Sequence, residues 1–208
     1  SPNLRQWTYH SKIYGFFECP DLFQMPVDGD TNNMEWLICD ASSGYMLGQF
    51  DGATFTPNTA KLPGNSGVGY YASQTFTTMP AGDTRRVRIS WAQINLPGMP
   101  FNQMMYFPTE LTLHTTSNGV RLFSQPVREI QNLHGNDHSW TNLNLSPGNN
   151  PLSGIRGTLF DVNAQFTPGT SQQITFTFQG VNVIYDSVNR QISCNGKTNP
   201  LPPVNGTV

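Results

Sequence analysis

Charge is scarce in this sequence. Asp, Glu, Lys and Arg make up 12% of 208 residues, about half the usual share. Eleven basic against thirteen acidic side chains leave a formal net charge of −2. No basic patch of the kind that holds a phosphate backbone or an anionic membrane can be built from that balance, so a nucleic-acid partner is not expected. Nor is there an apolar run of about 18 residues, so no helical membrane insertion is expected. The start, Ser1-Pro2-Asn3-Leu4-Arg5-Gln6-Trp7, lacks the charged-then-apolar order of a signal peptide. Cysteine is sparse: Cys19, Cys39 and Cys194 have no metal-ligand spacing and allow at most one disulfide. His10, His114, His134 and His138 show no zinc spacing either, no nucleophile-elbow motif occurs, and no metal or cofactor is expected.

Aromatic residues, by contrast, reach 12%, and 19 Gly and 16 Pro punctuate the chain. Low charge with many aromatics is the opposite of a disordered composition. It suits an all-β protein with many short strands, large enough to bury roughly 70% of its unfolded surface.

Period-two alternation supports this. Residues 35–40 and 45–50 read as a hairpin closed by Ser42-Ser43-Gly44. Val87, Ile89 and Trp91 alternate with Arg86, Arg88 and Ser90, which places Trp91 on an apolar face. Leu111 and Leu113 lead through Ser117-Asn118-Gly119 into Val120–Phe123. Phe160, Val162, Ala164 and Phe166 alternate with polar residues, as do Ile174, Phe176 and Phe178, and residues 181–185 and 190–194 complete the strands. Helix signals are poor. Pro126–Leu133 could form a short helix, or a strand followed by a linker. A polar stretch over 131–140 and the turn-forming Ser146-Pro147-Gly148-Asn149-Asn150-Pro151 suggest a boundary near 140. The expected domains are therefore 1–140, hairpin-rich with long Gly/Pro loops, and 141–208, sandwich-like.

Only four glutamates exist, Glu18, Glu35, Glu110 and Glu129. Glu18 lies among Tyr14, Phe16, Phe17 and Phe23. Apolar surroundings would suit it to act as a general acid; an ordinary strand-end glutamate bonded to a backbone amide is the plainer alternative. Glu110 is a second candidate, or else a carboxylate paired with Arg86 or Arg121. Asp21, Asp40 and Asp51 sit where aspartate commonly forms turns. Trp91 is a core residue, or a sugar-stacking platform if its strand ends in a cleft.

At Phe17-Glu18-Cys19-Pro20-Asp21 the chain resembles the Glu-Cys-Pro-Asp motif of glycoside hydrolase family 32, the invertases, inulinases and levanases. Five further segments agree in order: Gly48-Gln49-Phe50-Asp51-Gly52, Tyr71-Ala72-Ser73-Gln74-Thr75-Phe76, Arg85-Arg86-Val87-Arg88-Ile89-Ser90-Trp91, Pro108-Thr109-Glu110-Leu111-Thr112-Leu113 and Pro126-Val127-Arg128-Glu129. The wording of residues 96–105 is most similar to bacterial levanase-like members. The resemblance implies the last blades of a five-bladed β-propeller followed by part of a β-sandwich, the missing halves of both lying elsewhere.

It also implies a retaining β-fructosidase that hydrolyses fructans such as levan and inulin, or sucrose, outside the cell or in the periplasm. Glu18 would be the general acid/base. Trp91 and, less strongly, Tyr71 would contact the fructosyl unit, with Glu110 and Cys19 supporting the site from behind. The family's nucleophile motif, Asn-Asp-Pro, and its Arg-Asp-Pro motif do not occur here, so the chain alone is expected to be inactive. Thr109 and Gly69 depart from the family's usual arginine and aspartate. The competing expectations are a non-catalytic carbohydrate-binding propeller and sandwich, or a truncated reading frame without function.

Overall fold

A computed structural model describes residues 1–146 and 148–208; Pro147, within the turn-forming run noted above, lies outside the described residues. The chain is nearly all-β and divides into two units, 1–128 and 129–208. The boundary near 140 read from composition falls inside the irregular stretch that opens the second unit. A short 3-10 helix, Arg128–Leu133, occupies the place where helix and linker were both open.

The first unit contains two antiparallel meanders. One is β1 (Asp21–Val27), β2 (Asp30–Cys39), β3 (Tyr45–Phe50) and β4 (Phe55–Pro57), paired in chain order. The other uses β5 (Tyr70–Thr75), β6 (Arg86–Ala92), β8 (Thr109–Thr116) and β9 (Gly119–Pro126), with the two-residue β7 (Met104–Met105) beside the end of β6. β1 and β8 touch in parallel at Val27 and Leu113. These are propeller blades: each is a four-stranded sheet that buries one face against the other.

Alternation explains that burial. Phe23, Met25 and Val27 of β1 point inward together, and their cross-strand neighbours Leu37 and Leu47 continue the same face. Leu111 and Leu113 of β8 close the core from the other blade. Tyr45, 1% exposed, reaches across the seam and its phenol oxygen accepts the Leu122 amide at 3.0 Å. At the seam's lower end, Asp28 and Gly29 both take positive φ, as a two-residue hairpin turn requires. The Asp28 carboxylate then accepts the Thr115 hydroxyl at 2.6 Å and the Thr115 amide at 3.0 Å.

β6 follows the sequence reading at Val87, which is buried, and departs from it further along. Arg88 and Ser90, expected to face water, are buried, whereas Trp91 is exposed. The cause is the seam: the face carrying Arg86 and Arg88 is the one turned toward the first blade, where Arg86 lies over the Phe23 ring at 4.8 Å.

The second unit holds the meander β10 (Gln173–Phe178), β11 (Val181–Asp186), β12 (Gln191–Cys194) and β13 (Lys197–Pro200). Residues 160–166 do not form the expected strand. Phe160, Val162, Ala164 and Phe166 nevertheless line one cavity together with Phe176, Phe178 and Val183, so the period-two face is real. What is missing is a ladder: Phe166 alone exchanges backbone bonds, both with Val208 at 2.9 Å.

The Thr115 hydroxyl, then its amide, hold the Asp28 carboxyl below the usual carboxylate range. A depressed folded-state pKa contributes stability that is present above the unfolded value and is lost as pH falls through the folded one. Asp28→Asn is therefore expected to lower the melting temperature near pH 6 and to narrow the gap to the parent as pH drops below about 4. Parallel pH-dependent melts of the two proteins check this; a gap that is constant with pH would remove Asp28 from the seam's energetics.

Candidate active site

The Glu18–Asp21 turn leads into β1 at the upper end of the same seam. Cys19 takes a positive φ of 48°, which turns the backbone sharply between Glu18 and the proline. β5 of the second blade binds this turn residue by residue. The Tyr71 hydroxyl donates to Glu18 Oε2 at 2.6 Å. Gln74 Nε2 donates to the Cys19 carbonyl at 2.9 Å, and the Thr75 amide donates to Asp21 Oδ2 at 2.7 Å. From the first blade, the Ala41 amide donates to the Glu18 carbonyl at 2.9 Å.

A second layer supports that contact. Ser73 is fully buried, donating its amide to the Ala41 carbonyl at 3.0 Å and its hydroxyl to the Asp40 carbonyl at 3.1 Å. Asp40 Oδ1 accepts the amides of Ser42 and Gly44, and Oδ2 pairs with Lys61. Lys61 also donates to the Gly15 carbonyl at 2.6 Å and lies over the Phe16 ring, fixing the segment before Glu18.

Glu18 itself is exposed. Its flanking aromatics do not enclose it: Phe17 is 86% exposed and Tyr14 is also in the open. The apolar pocket expected from sequence neighbours is therefore not formed by them. Among the described residues Oε2 has the Tyr71 hydroxyl and Oε1 has no hydrogen-bond partner. The carboxylate in turn pushes the Tyr71 phenol above its ordinary pKa, chiefly by accepting its hydrogen bond.

The other expected residues are placed as follows. Trp91 stands directly opposite Tyr71 in the β5–β6 register, so the two rings share a sheet face. It is 36% exposed, which removes the core reading. Cys19 joins the site through its carbonyl. Glu110 lies half-buried on β8, and among the described residues it has no ion pair. The expected partners cannot reach it. Arg86 pairs with Leu111 rather than Glu110, so alternation puts it on the opposite face, and its guanidinium bonds Thr75 and the Phe76 carbonyl. Arg121 is four residues along β9 from Gln125, the partner of Glu110, and donates to the Val120 carbonyl.

Asp21, Asp40 and Asp51 are turn and strap residues, their carboxylates taken by backbone amides. Gly69 has a φ of +75°, and a Cβ there would sit 2.8 Å from the Gln93 carbonyl. In this backbone a side chain at position 69 would be strained and would crowd Gln93. Sequence reasoning missed Lys61, a lone lysine in a Gly/Pro loop with no local signal, and Gln74, whose segment was noted but not its bond to the turn.

The fold and the site are those of propeller blades with an exposed carboxylate at one end of the seam between them. The profile of the glycosyl hydrolases family 32 N-terminal domain matches residues 1–126. The chain belongs to glycoside hydrolase family 32. It is 31% identical over its whole length to a levanase of Bacillus subtilis, covering 38% of that protein. It is 29% identical over 85% of its length to the extracellular exo-inulinase inuE of Aspergillus niger, again covering 38%. Among solved structures, an exo-inulinase from Aspergillus awamori superposes on the full chain with a TM-score of 0.68 at 21% identity, covering 50% of that chain. A β-fructofuranosidase of Bombyx mori superposes on 90% of the chain with a TM-score of 0.53 at 18% identity. The chain thus spans well under half the length of these curated relatives, and corresponds to propeller blades followed by part of a sandwich.

Beneath Glu18, burial pushes the Cys39 thiol up to about 12, with Arg88 opposing and Asp21 and Asp40 reinforcing the shift. Thiolate is the reactive form. At pH 8 iodoacetamide is expected to alkylate the half-buried Cys19 and Cys194 while Cys39 stays unmodified until the protein unfolds. Mass mapping of the labelled peptides checks it; early labelling of Cys39 would mean that the seam opens.

Proposed function

We propose that this chain contributes the acid/base half of the active site of a retaining β-fructosidase, with Glu18 as general acid and then general base. The substrates are fructans, levan or inulin, or sucrose, and the names of the relatives, levanase and extracellular exo-inulinase, support this class and a location outside the cell. The observation that carries the reading is the state of the Glu18 carboxyl. It is exposed at the rim, one oxygen is held by Tyr71, and the other is open to a ligand.

In this mechanism the proton on Glu18 passes to the glycosidic oxygen as its bond to the fructosyl carbon breaks. A second carboxylate, about 5–5.5 Å away, forms the fructosyl-enzyme. The family's nucleophile motif is absent from these residues, so that group comes from another part of the full-length enzyme. Glu18, now a carboxylate, takes a proton from the water that releases fructose. Trp91 offers the fructosyl ring an apolar wall, with Tyr71 beside it on the same face. Glu110, on the neighbouring strand, supports the site without touching sugar.

Glu18→Gln in the full-length enzyme keeps the shape and removes the transferable proton. Turnover of sucrose, inulin and levan is expected to fall about 10²–10⁴-fold, the usual worth of a general acid, with KM little changed. An aryl fructoside, whose leaving group needs no proton, should lose far less, and azide should partly restore its turnover by attacking the fructosyl-enzyme without base help. Near-normal turnover of sucrose and fructans would overturn the assignment.

A further inference from the structure

We infer that Tyr71 is a positioning residue for Glu18: its hydroxyl fixes which carboxyl oxygen carries the proton and receives the charge left when that proton departs. The inference rests on Glu18 being the acid/base.

The geometry leads there in three steps. First, Tyr71 is aimed at Glu18 by a distortion of its strand. β5 pairs Tyr71 with Trp91 and Gln74 with Ile89, so Ala72 and Ser73 on β5 stand against Ser90 alone on β6. The surplus is a bulge, and within it Ala72 takes a φ of +48°. An alanine in this region is strained, because its Cβ crowds the following carbonyl oxygen. Bulges of this kind re-aim side chains beside active sites.

Second, the aim is matched by anchors that remove slack. Gln74 and Thr75, directly beyond the bulge, hold Cys19 and Asp21, and Ala41 holds the Glu18 carbonyl. The main chain of Glu18 is therefore fixed from both blades, and the remaining freedom lies in its side-chain torsions. The bond of 2.6 Å from Tyr71 to Oε2 takes that freedom away.

Third, the chemistry is one-sided. A hydroxyl that donates to a carboxyl stabilises the ionised form. In the first half-reaction the proton leaves Glu18 Oε1 for the glycosidic oxygen as the C–O bond breaks. The new negative charge is shared with Oε2, where the Tyr71 hydroxyl already waits. The bond strengthens in that step, so it acts on turnover rather than on substrate affinity. The phenol's own raised pKa keeps its proton in place across the working range.

The test uses Tyr71→Phe in the full-length enzyme, which removes one oxygen and keeps the ring opposite Trp91. Losing a hydrogen bond to a charged group is expected to lower kcat on sucrose and fructans about 10- to 100-fold. KM should stay within about twofold, and the first burst of aryloxide from an aryl fructoside should keep its rate. Tyr71 should titrate above an ordinary tyrosine in the parent, and Glu18→Gln should lower that value, a readout independent of turnover. Unchanged kcat for Tyr71→Phe beside an inactive Glu18→Gln would overturn the positioning role and leave the acid/base reading standing. Equal losses on every substrate with a raised KM would mean that Tyr71 binds sugar or supports the fold, and would overturn it as well. A fully active Glu18→Gln would instead remove the acid/base reading itself.

Discussion

The seam between the two blades is the constraint from which the rest follows. A four-stranded meander has two faces, and a single blade cannot bury either one alone. Phe23, Leu37 and Leu47 from one blade and Leu111 and Leu113 from the other form one continuous core. Apolar burial of this kind contributes about 25 cal/mol per Å² and has no direction; the polar groups at its edges set the alignment. Asp28 with Thr115 fixes the lower end, Tyr45 with Leu122 the middle, and β5 with the Glu18–Asp21 turn the upper end. The candidate site is thus the top rung of the interaction that holds the blades together. Glu18 can be rigid in its main chain while its side chain remains in water.

Much of this fold was legible because local chemistry and global position agree. The β2–β3 and β8–β9 hairpins carry both alternation and turn residues, and both lie where the pattern puts them. The Asp28-Gly29 pair is an equally strong hairpin signal, but Pro26 interrupts the run before it, so β1 reads poorly as a strand. The failures on β6 and over 160–166 have different causes. On β6 the polar face is buried, because the second blade turns it toward Phe23 and Cys39; alternation identifies two faces but not which one meets the neighbour. Over 160–166 the face is right and the hydrogen-bonding is not, because a strand requires a partner and only Phe166 has one.

The site divides in the same way. Glu18 was visible through its motif and through the rarity of glutamate. Trp91 was visible as an aromatic at the end of an alternating run, though its exposure could not be read from alternation. The side-chain hydrogen bonds that hold the Glu18-Cys19 turn come from Tyr71 and Gln74, more than fifty positions away in sequence, and nothing local to either marks it as a donor to this turn. Glu110 shows the converse. Its composition-based pairing with Arg86 fails on register alone, since neighbours offset by one residue point to opposite sides of a sheet.

Arg88 shows what the seam requires electrostatically. It is 3% exposed, its Nε and Nη1 have no hydrogen-bond partner among the described residues, and it lies over the Tyr70 ring at 5.6 Å. An isolated cation in such a place would be strongly unfavourable unless opposite charge lay near. Arg88, Asp21 and Asp40 all lie near enough to bear on the Cys39 thiol, the arginine lowering its pKa and the two carboxylates raising it. Both carboxylates are oriented by backbone amides, Asp21 by Thr75 and Asp40 by Ser42 and Gly44, and Asp40 is also paired with Lys61. Asp21 and Asp40 are therefore committed by backbone amides and, for Asp40, by Lys61. Glu18, held through a hydroxyl and a main-chain carbonyl, differs from them in being exposed to solvent while one of its oxygens stays unbonded among the described residues.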